Sequence, residues 1–236
     1  MPNRGGSVGL GQKLSAEIVG TFFVTLTSAS VDTLYYTGDQ VDFVSRWLTR
    51  GFMTAVLIYS LSEISGAHLN PVVSLAFALR KAMRWPIAGL YCVGQFAGGF
   101  AAGILLRLVW HDQAVLGASH PGEHWSHLAA AGAEVVLTFF VVGVILATAD
   151  PDAAVGKQAA LAVGFASAAC GFFGGPISGA SMNPARSLTT QLLCGSYGIM
   201  WIYVVGPVAG AIAAALAVFP LLGPPDMGER KAATGK

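Results

Sequence analysis

Two short segments of this chain read almost alike: Ser65-Gly66-Ala67-His68-Leu69-Asn70-Pro71-Val72 and Ser178-Gly179-Ala180-Ser181-Met182-Asn183-Pro184-Ala185-Arg186. In both, Ser-Gly-Ala supplies an unwound approach and Asn a helix N-cap. Pro then takes the first helical position, where no backbone donor is needed, and a short apolar run follows. Each segment therefore starts a helix, and the sequence around it is lipid-like. Hydrophobic residues make up 54% of the chain and charged residues 11%, against roughly 25% charged in soluble domains. Non-helical backbone at membrane depth is tolerated only where protein packs on it or water reaches it. Both segments must lie against one or the other.

Long apolar stretches fall at about 18–31, 48–61, 87–106, 129–147, 159–173 and 200–222. A crossing needs about 20 residues, so the shorter stretches extend into flanking Ser, Thr, Gly and Tyr, and six spans are expected. The runs 71–79 and 184–194 have about half the length a crossing requires and read as half-helices. The repetition is wider than the Asn-Pro boxes. Ala16-Glu17-Ile18-Val19-Gly20-Thr21-Phe22-Phe23 is matched by Ala133-Glu134-Val135-Val136-Leu137-Thr138-Phe139-Phe140, and Asn70 follows Glu17 by 53 residues where Asn183 follows Glu134 by 49. Three spans per copy is an odd number, so the second copy enters the bilayer inverted, and the half-helices dip in from opposite faces to meet at their N-termini. The expectation is an all-α membrane protein: a single transmembrane channel domain over 1–236, with inverted repeats at about 13–108 and 127–222, an outer loop at 109–127 and short termini.

Arg4 and Lys13, then Arg80, Lys81 and Arg84, then Lys157, then Arg230, Lys231 and Lys236 share one face, which predicts that both termini are cytoplasmic. A formal charge of +1 gives no basic field for nucleic acid. Residues 1–13 lack a cleavage signal, so the first span is expected to be retained. Cys92, Cys170 and Cys194 lie in or beside apolar segments without metal-like spacing, and His111, His120, His124 and His127 read as solvated loop residues. Neither cofactor nor metal is expected. The titratable residues are not arranged as nucleophile, base and orienter, which argues against an enzyme. Trp85, Trp110, Trp125 and Trp201 stand near span ends as interface anchors. The tail after Pro224 is expected to be loose, and the short loops and lean termini point to a bacterial inner membrane.

The paired Asn-Pro boxes in two repeated halves resemble those of the aquaporins, the major intrinsic proteins, over essentially the whole chain from Glu17 to about Leu222. The resemblance implies six tilted helices around a narrow pore, two re-entrant half-helices and a homotetramer with one pore per subunit. It makes Arg186 the selectivity arginine and puts Arg50, Gly171 and Ala180 around it in the filter. Glu17, Glu134, His68 and Glu63 become supports of the loops, with Glu63 either capping a loop donor or tuning admission at the inner mouth. The filter departs from the family's usual sets: neither the Phe and His of water-selective members nor the Trp, Gly and aromatic of glycerol channels is present. Gly171 and Ala180 leave room on two sides, which predicts a wide filter. Arg50 either lines the pore or turns toward the outer water while Trp47 takes an interface position. Val72 stands where the first box usually has Ala, while Ala185 keeps the usual residue.

Each half-helix N-terminus carries roughly +0.5 of an elementary charge, and the Asn70 and Asn183 amides donate toward the same spot. A water held there presents its oxygen to both, cannot relay a proton, and a cation meets a positive barrier. The expected function is a passive channel for water and small uncharged solutes such as glycerol, urea or metalloid acids like arsenous acid, closed to protons and ions. The alternative is a coupled secondary transporter, since inverted repeats and broken helices mark those folds too. Coupling requires intramembrane carboxylates at the site, and the nearest to the boxes in sequence is Glu63. Ser187 and Val204 carry the markers of neither water nor glycerol channels, so the solute class stays open.

Overall fold

The computed structural model describes residues 8–39, 41–149 and 158–235; Arg4, Lys157 and Lys236 lie outside them. The helices in chain order are α1 (Leu10–Thr37), α2 (Phe43–Ser65), α3 (Pro71–Leu79), α4 (Trp85–Trp110), α5 (His127–Ala147), α6 (Ala159–Ser178), α7 (Pro184–Cys194), α8 (Ile202–Leu222) and α9 (Met227–Thr234). Among the described residues no strand is present. Short 3-10 segments follow α4 and α7, at His111–Gly117 and Tyr197–Ile199.

The two half-helices run over the residues predicted for them, because local chemistry sets both ends. Asn70 is extended and its side chain accepts from Val72 N, whereas Asn183 accepts from both Ala185 N and Arg186 N. Proline occupies the first turn of each. α3 stops where Lys81 turns left-handed at φ 62°, and α7 stops at the left-handed Gly195.

Among the described residues, five helices are long and apolar enough to cross a membrane: α1, α4, α5, α6 and α8 with its preceding turn. The sixth expected span, α2, has 23 residues but carries Arg46, Arg50 and Glu63, which lower its apolarity. At 1.5 Å per residue it is still about 34 Å long. Its outward residues Phe52, Val56 and Tyr59 are more than half exposed, while Arg46 and Arg50 are buried, so it is apolar outside and charged inside. Leu108 and Val93 on α4, Leu128 on α5 and Leu216 on α8 are likewise more than half exposed. A soluble domain does not present so much contiguous apolar surface; a bilayer accepts it.

Close backbone approaches hold the helices together, as in other membrane bundles. α4 lies on α1 at Gly98, where a Cβ would strike Ile18 O and Phe22 N. α8 lies on α5 at Gly210, where a Cβ would strike Val135 O and Phe139 N. These are matching positions of the repeated Glu17 and Glu134 segments, so the two copies use the same packing joint.

The C-terminal segment is not loose. Asp226 caps α9 by accepting from Glu229 N at 2.7 Å, and buried Glu229 takes both Arg80 Nε and Nη2 at 2.6 Å. Arg80 lies at the end of α3, about 150 residues away in sequence, so composition near the tail carries no sign of it. Lys13 Nζ donates to Thr234 O at 2.5 Å, which joins three of the segments expected on one membrane face. Removing one partner of a buried pair leaves the other charge bare, so Glu229→Ala is expected to cost about 3 kcal/mol. The check is the thermal unfolding midpoint of the detergent-purified protein, and an unchanged midpoint contradicts this packing.

Candidate functional site

The loops ahead of the two half-helices are held in unusual backbone. Gly66 and Gly179, Ala67 and Ala180, and Leu69 and Met182 all have positive φ, at the same offsets from the two asparagines. A left-handed non-glycine residue costs roughly 1–2 kcal/mol, so something must hold it. For the first loop it is Glu17, fully buried on α1, which accepts from Ser65 Oγ (2.6 Å), His68 N (3.0 Å), Leu69 N (2.8 Å) and Gln95 Nε2 (2.7 Å). For the second it is Glu134 on α5, accepting from Ser178 Oγ (2.7 Å), Ser181 N (2.8 Å) and Met182 N (2.7 Å). Tyr91 and Tyr203 close the start of each loop by donating to Ser65 O and Ser178 O. His68 bonds Ser74 Oγ through Nδ1 at 2.9 Å and stacks on Phe77.

The loops meet. Asn70 Nδ2 donates to Met182 O at 2.8 Å, and Asn183 Nδ2 donates to Leu69 O at 2.9 Å. Each asparagine thus caps its own half-helix with its oxygen and ties down the opposite loop with its nitrogen. An amide nitrogen carries two protons, so one remains on each. Val72 is buried in the core beside Phe77, and Pro184 and Ala185 are buried as well. The Val72 box has the sparser cap, one donor at 3.2 Å where the Ala185 box has two at 3.0 and 3.3 Å.

A cavity of about 500 Å³ runs beside both asparagines. One end is lined by Ser28, Trp47, Arg50, Ala180 and Arg186, the other by Glu63, Gly66, Lys231 and Ala232. Lys231 and Ala232 belong to α9, so the C-terminal helix forms part of one mouth.

At the arginine end three cations share one carboxylate. Arg186 Nη2 is 2.5 Å from Asp32 Oδ2, Arg50 Nη2 pairs with the same oxygen, and Arg46 Nε is 2.6 Å from Oδ1. All four side chains are at most 9% exposed. Arg186 also bonds Ser119 Oγ and Gly117 O, and Arg50 donates to Gly179 O at 3.2 Å and Ser28 O at 3.4 Å. Ser187 belongs to the same network through Ser119 and Ser181.

One expectation needs correction here, and one open alternative closes. Of the two readings of Arg50, the pore-lining one matches the structure: it is buried and borders the cavity. Trp47 is not at the interface but 1% exposed, clasped between the Arg46 and Arg50 guanidiniums, each 4.4 Å from its ring centre. Gly171 does not leave room for solute, because a Cβ on it or on Gly175 would run into the Trp47 ring. Its missing side chain admits the tryptophan, and Trp47 rather than Gly171 borders the cavity. Asp32 does not stand out in the sequence, because the first apolar stretch ends at 31. The available signal was a carboxylate followed by Thr33, Leu34, Tyr35 and Tyr36, a run that keeps the helix going past it.

Apolar helices around two half-helices that abut beside a cavity define a membrane protein of the channel class. The chain belongs to the major intrinsic protein family, whose model matches residues 6–218. It is 40% identical over 219 residues to aquaporin NIP1-3 of Oryza sativa subsp. japonica, spanning 89% of this chain and 74% of that one. It is 38% identical over 206 residues to aquaporin NIP2-1 of Zea mays, spanning 86% and 69%. The X-ray structure of the aquaglyceroporin from Plasmodium falciparum shares the fold, with a TM-score of 0.79 at 21% identity over 90% of this chain and 98% of that chain.

Proposed function

We propose that this chain is a passive pore for water and small uncharged solutes, glycerol, urea or arsenous acid among them, that refuses protons and ions. The observation that carries this reading is the reciprocal pair of bonds from Asn70 and Asn183, which brings two positive helix tips together beside one cavity. A solute oxygen at that point receives the remaining amide protons, and no acceptor of fixed negative charge is offered to a cation. Arg50 and Arg186 add donors at the outer end, which suits solutes rich in oxygen. The filter residues are Arg186, Arg50, Ala180 and Trp47, with Gly171 as the seat of the tryptophan.

A coupled transporter fits less well. Glu17, Glu134 and Asp32 are each engaged by fixed donors or cations, and Glu63 lines the cavity at the end away from the arginines, so no carboxylate beside the asparagines stands ready to carry a coupling proton. Nor does the site offer a nucleophile with its base, so no enzymatic role is proposed. The protein is proposed to work as a homotetramer in the plasma membrane, an inner membrane in the bacterial case, with both termini cytoplasmic. Lipid, its own copies and neutral solutes are its partners; nucleic acid is not.

Purified protein in liposomes, followed by stopped-flow light scattering under sucrose, glycerol and urea gradients, tests this. Water flux above that of empty liposomes is expected, together with flux of at least one solute. Both should rise linearly with the gradient and need no pH difference. Saturating flux that stops without a proton gradient establishes the carrier instead.

A further inference from the structure

We propose that Asp32 is the residue that sets the bore and solute preference of the outer constriction, by holding Arg50 and Arg186 against its wall. The proposal rests on the pore reading above and adds to it a positioning residue behind the filter. Arg50 and Arg186 border the cavity from two different helices, whereas Asp32 is not among the residues lining it. It acts from the layer behind.

The electrostatics favour this role. Arg46 and Arg50 are one helical turn apart on α2, and like charges at that spacing repel. Arg186 brings a third cation to the same place, and one carboxylate serves all three. Asp32 offsets the mutual repulsion of the three. Arg186 has further anchors in Ser119 and Gly117, and Arg46 is stacked against Tyr35, Tyr36 and Trp47. Arg50 stacks on Trp47 and has bonds to two backbone oxygens, and its Nε, like that of Arg186, has no partner. Of the two arginines that border the cavity, it is the one whose side-chain hydrogen bonding rests on Asp32, since Arg186 also bonds Ser119. Released from Asp32 and repelled by its neighbours, its guanidinium moves to the nearest polar volume, which is the cavity. The constriction then narrows and gains charge.

The test is Asp32→Asn in liposomes, with fluxes normalised to folded protein. Urea and glycerol permeability is expected to fall about tenfold, and water by less, because a narrower pore penalises larger solutes first. The double variant Asp32→Asn with Arg50→Gln removes the side chain that moves, and is expected to restore solute flux to at least the original level. Wild-type flux in folded Asp32→Asn overturns the proposal. So does a loss that the double variant does not recover, since that marks Asp32 as a structural support only. Absence of flux in the unaltered protein defeats the pore reading itself, a distinct outcome.

Discussion

Alanine at Glu134 is expected to abolish flux, leaving liposomes no more permeable than lipid alone. The carboxylate is fully buried and bonds two consecutive backbone donors, Ser181 N and Met182 N, together with Ser178 Oγ. Each buried donor left bare costs about 1–3 kcal/mol. The same bonds hold Ala180 and Met182 left-handed at φ 42° and 53°, and each of those residues relaxes by about 1–2 kcal/mol on escaping that region. Loss of partners and release of strain therefore push the loop the same way. Met182 O is the acceptor for Asn70, so the meeting of the two half-helices is lost with the loop. Glu134→Gln is expected to fall between, since its amide turns one acceptor into a donor facing N–H groups. Stopped-flow water permeability beside a size-exclusion profile is the check, and wild-type flux in the alanine variant refutes the supporting role. Glu17→Ala should behave alike, with Gln95 additionally left without its acceptor.

What could be read from the sequence divides along the range of the interactions. The half-helices were legible to the residue because a capping Asn, a Pro after it and a left-handed turn at the end act within a few positions. The repeat was legible because Glu17 and Glu134 sit in near-identical strings. Span ends were less so. α1 runs over 28 residues where the apolar stretch covers half as many, because a helix lined by protein on one side tolerates polar residues there. That is why Asp32 lies beyond the apolar stretch yet inside the helix. Gly171 shows a different limit: a glycine reveals that space exists beside the backbone, not who fills it, and here a tryptophan from α2 does. α9 depends on a pair between Arg80 and Glu229 that no local pattern announces. In each of these cases the deciding partner comes from another helix.

Asp in place of Asn183 is expected to turn a pore closed to cations into one that leaks them, with the fold kept. Aspartate caps a helix as well as asparagine does, so Ala185 N and Arg186 N retain their acceptor, and a negative charge at a helix N-terminus is itself favourable. The bond from Nδ2 to Leu69 O is replaced by two acceptors facing each other, a cost of about 1–3 kcal/mol. The change in field is larger. A full negative charge now stands where two helix tips of roughly +0.5 each converge, so their sum is cancelled. The remaining donor toward a solute oxygen also becomes an acceptor. A water at that point is no longer obliged to face one way, and a cation finds a counter-charge in place of a barrier. Liposomes loaded with a pH-sensitive dye and clamped with valinomycin should acidify faster with this variant than with the unaltered protein, by about tenfold or more given the exponential dependence of permeation on barrier height. Water flux should stay within a few-fold. A variant that conducts water and remains proton-tight places the barrier elsewhere, and the arginines at the outer constriction would then be the first place to look for it.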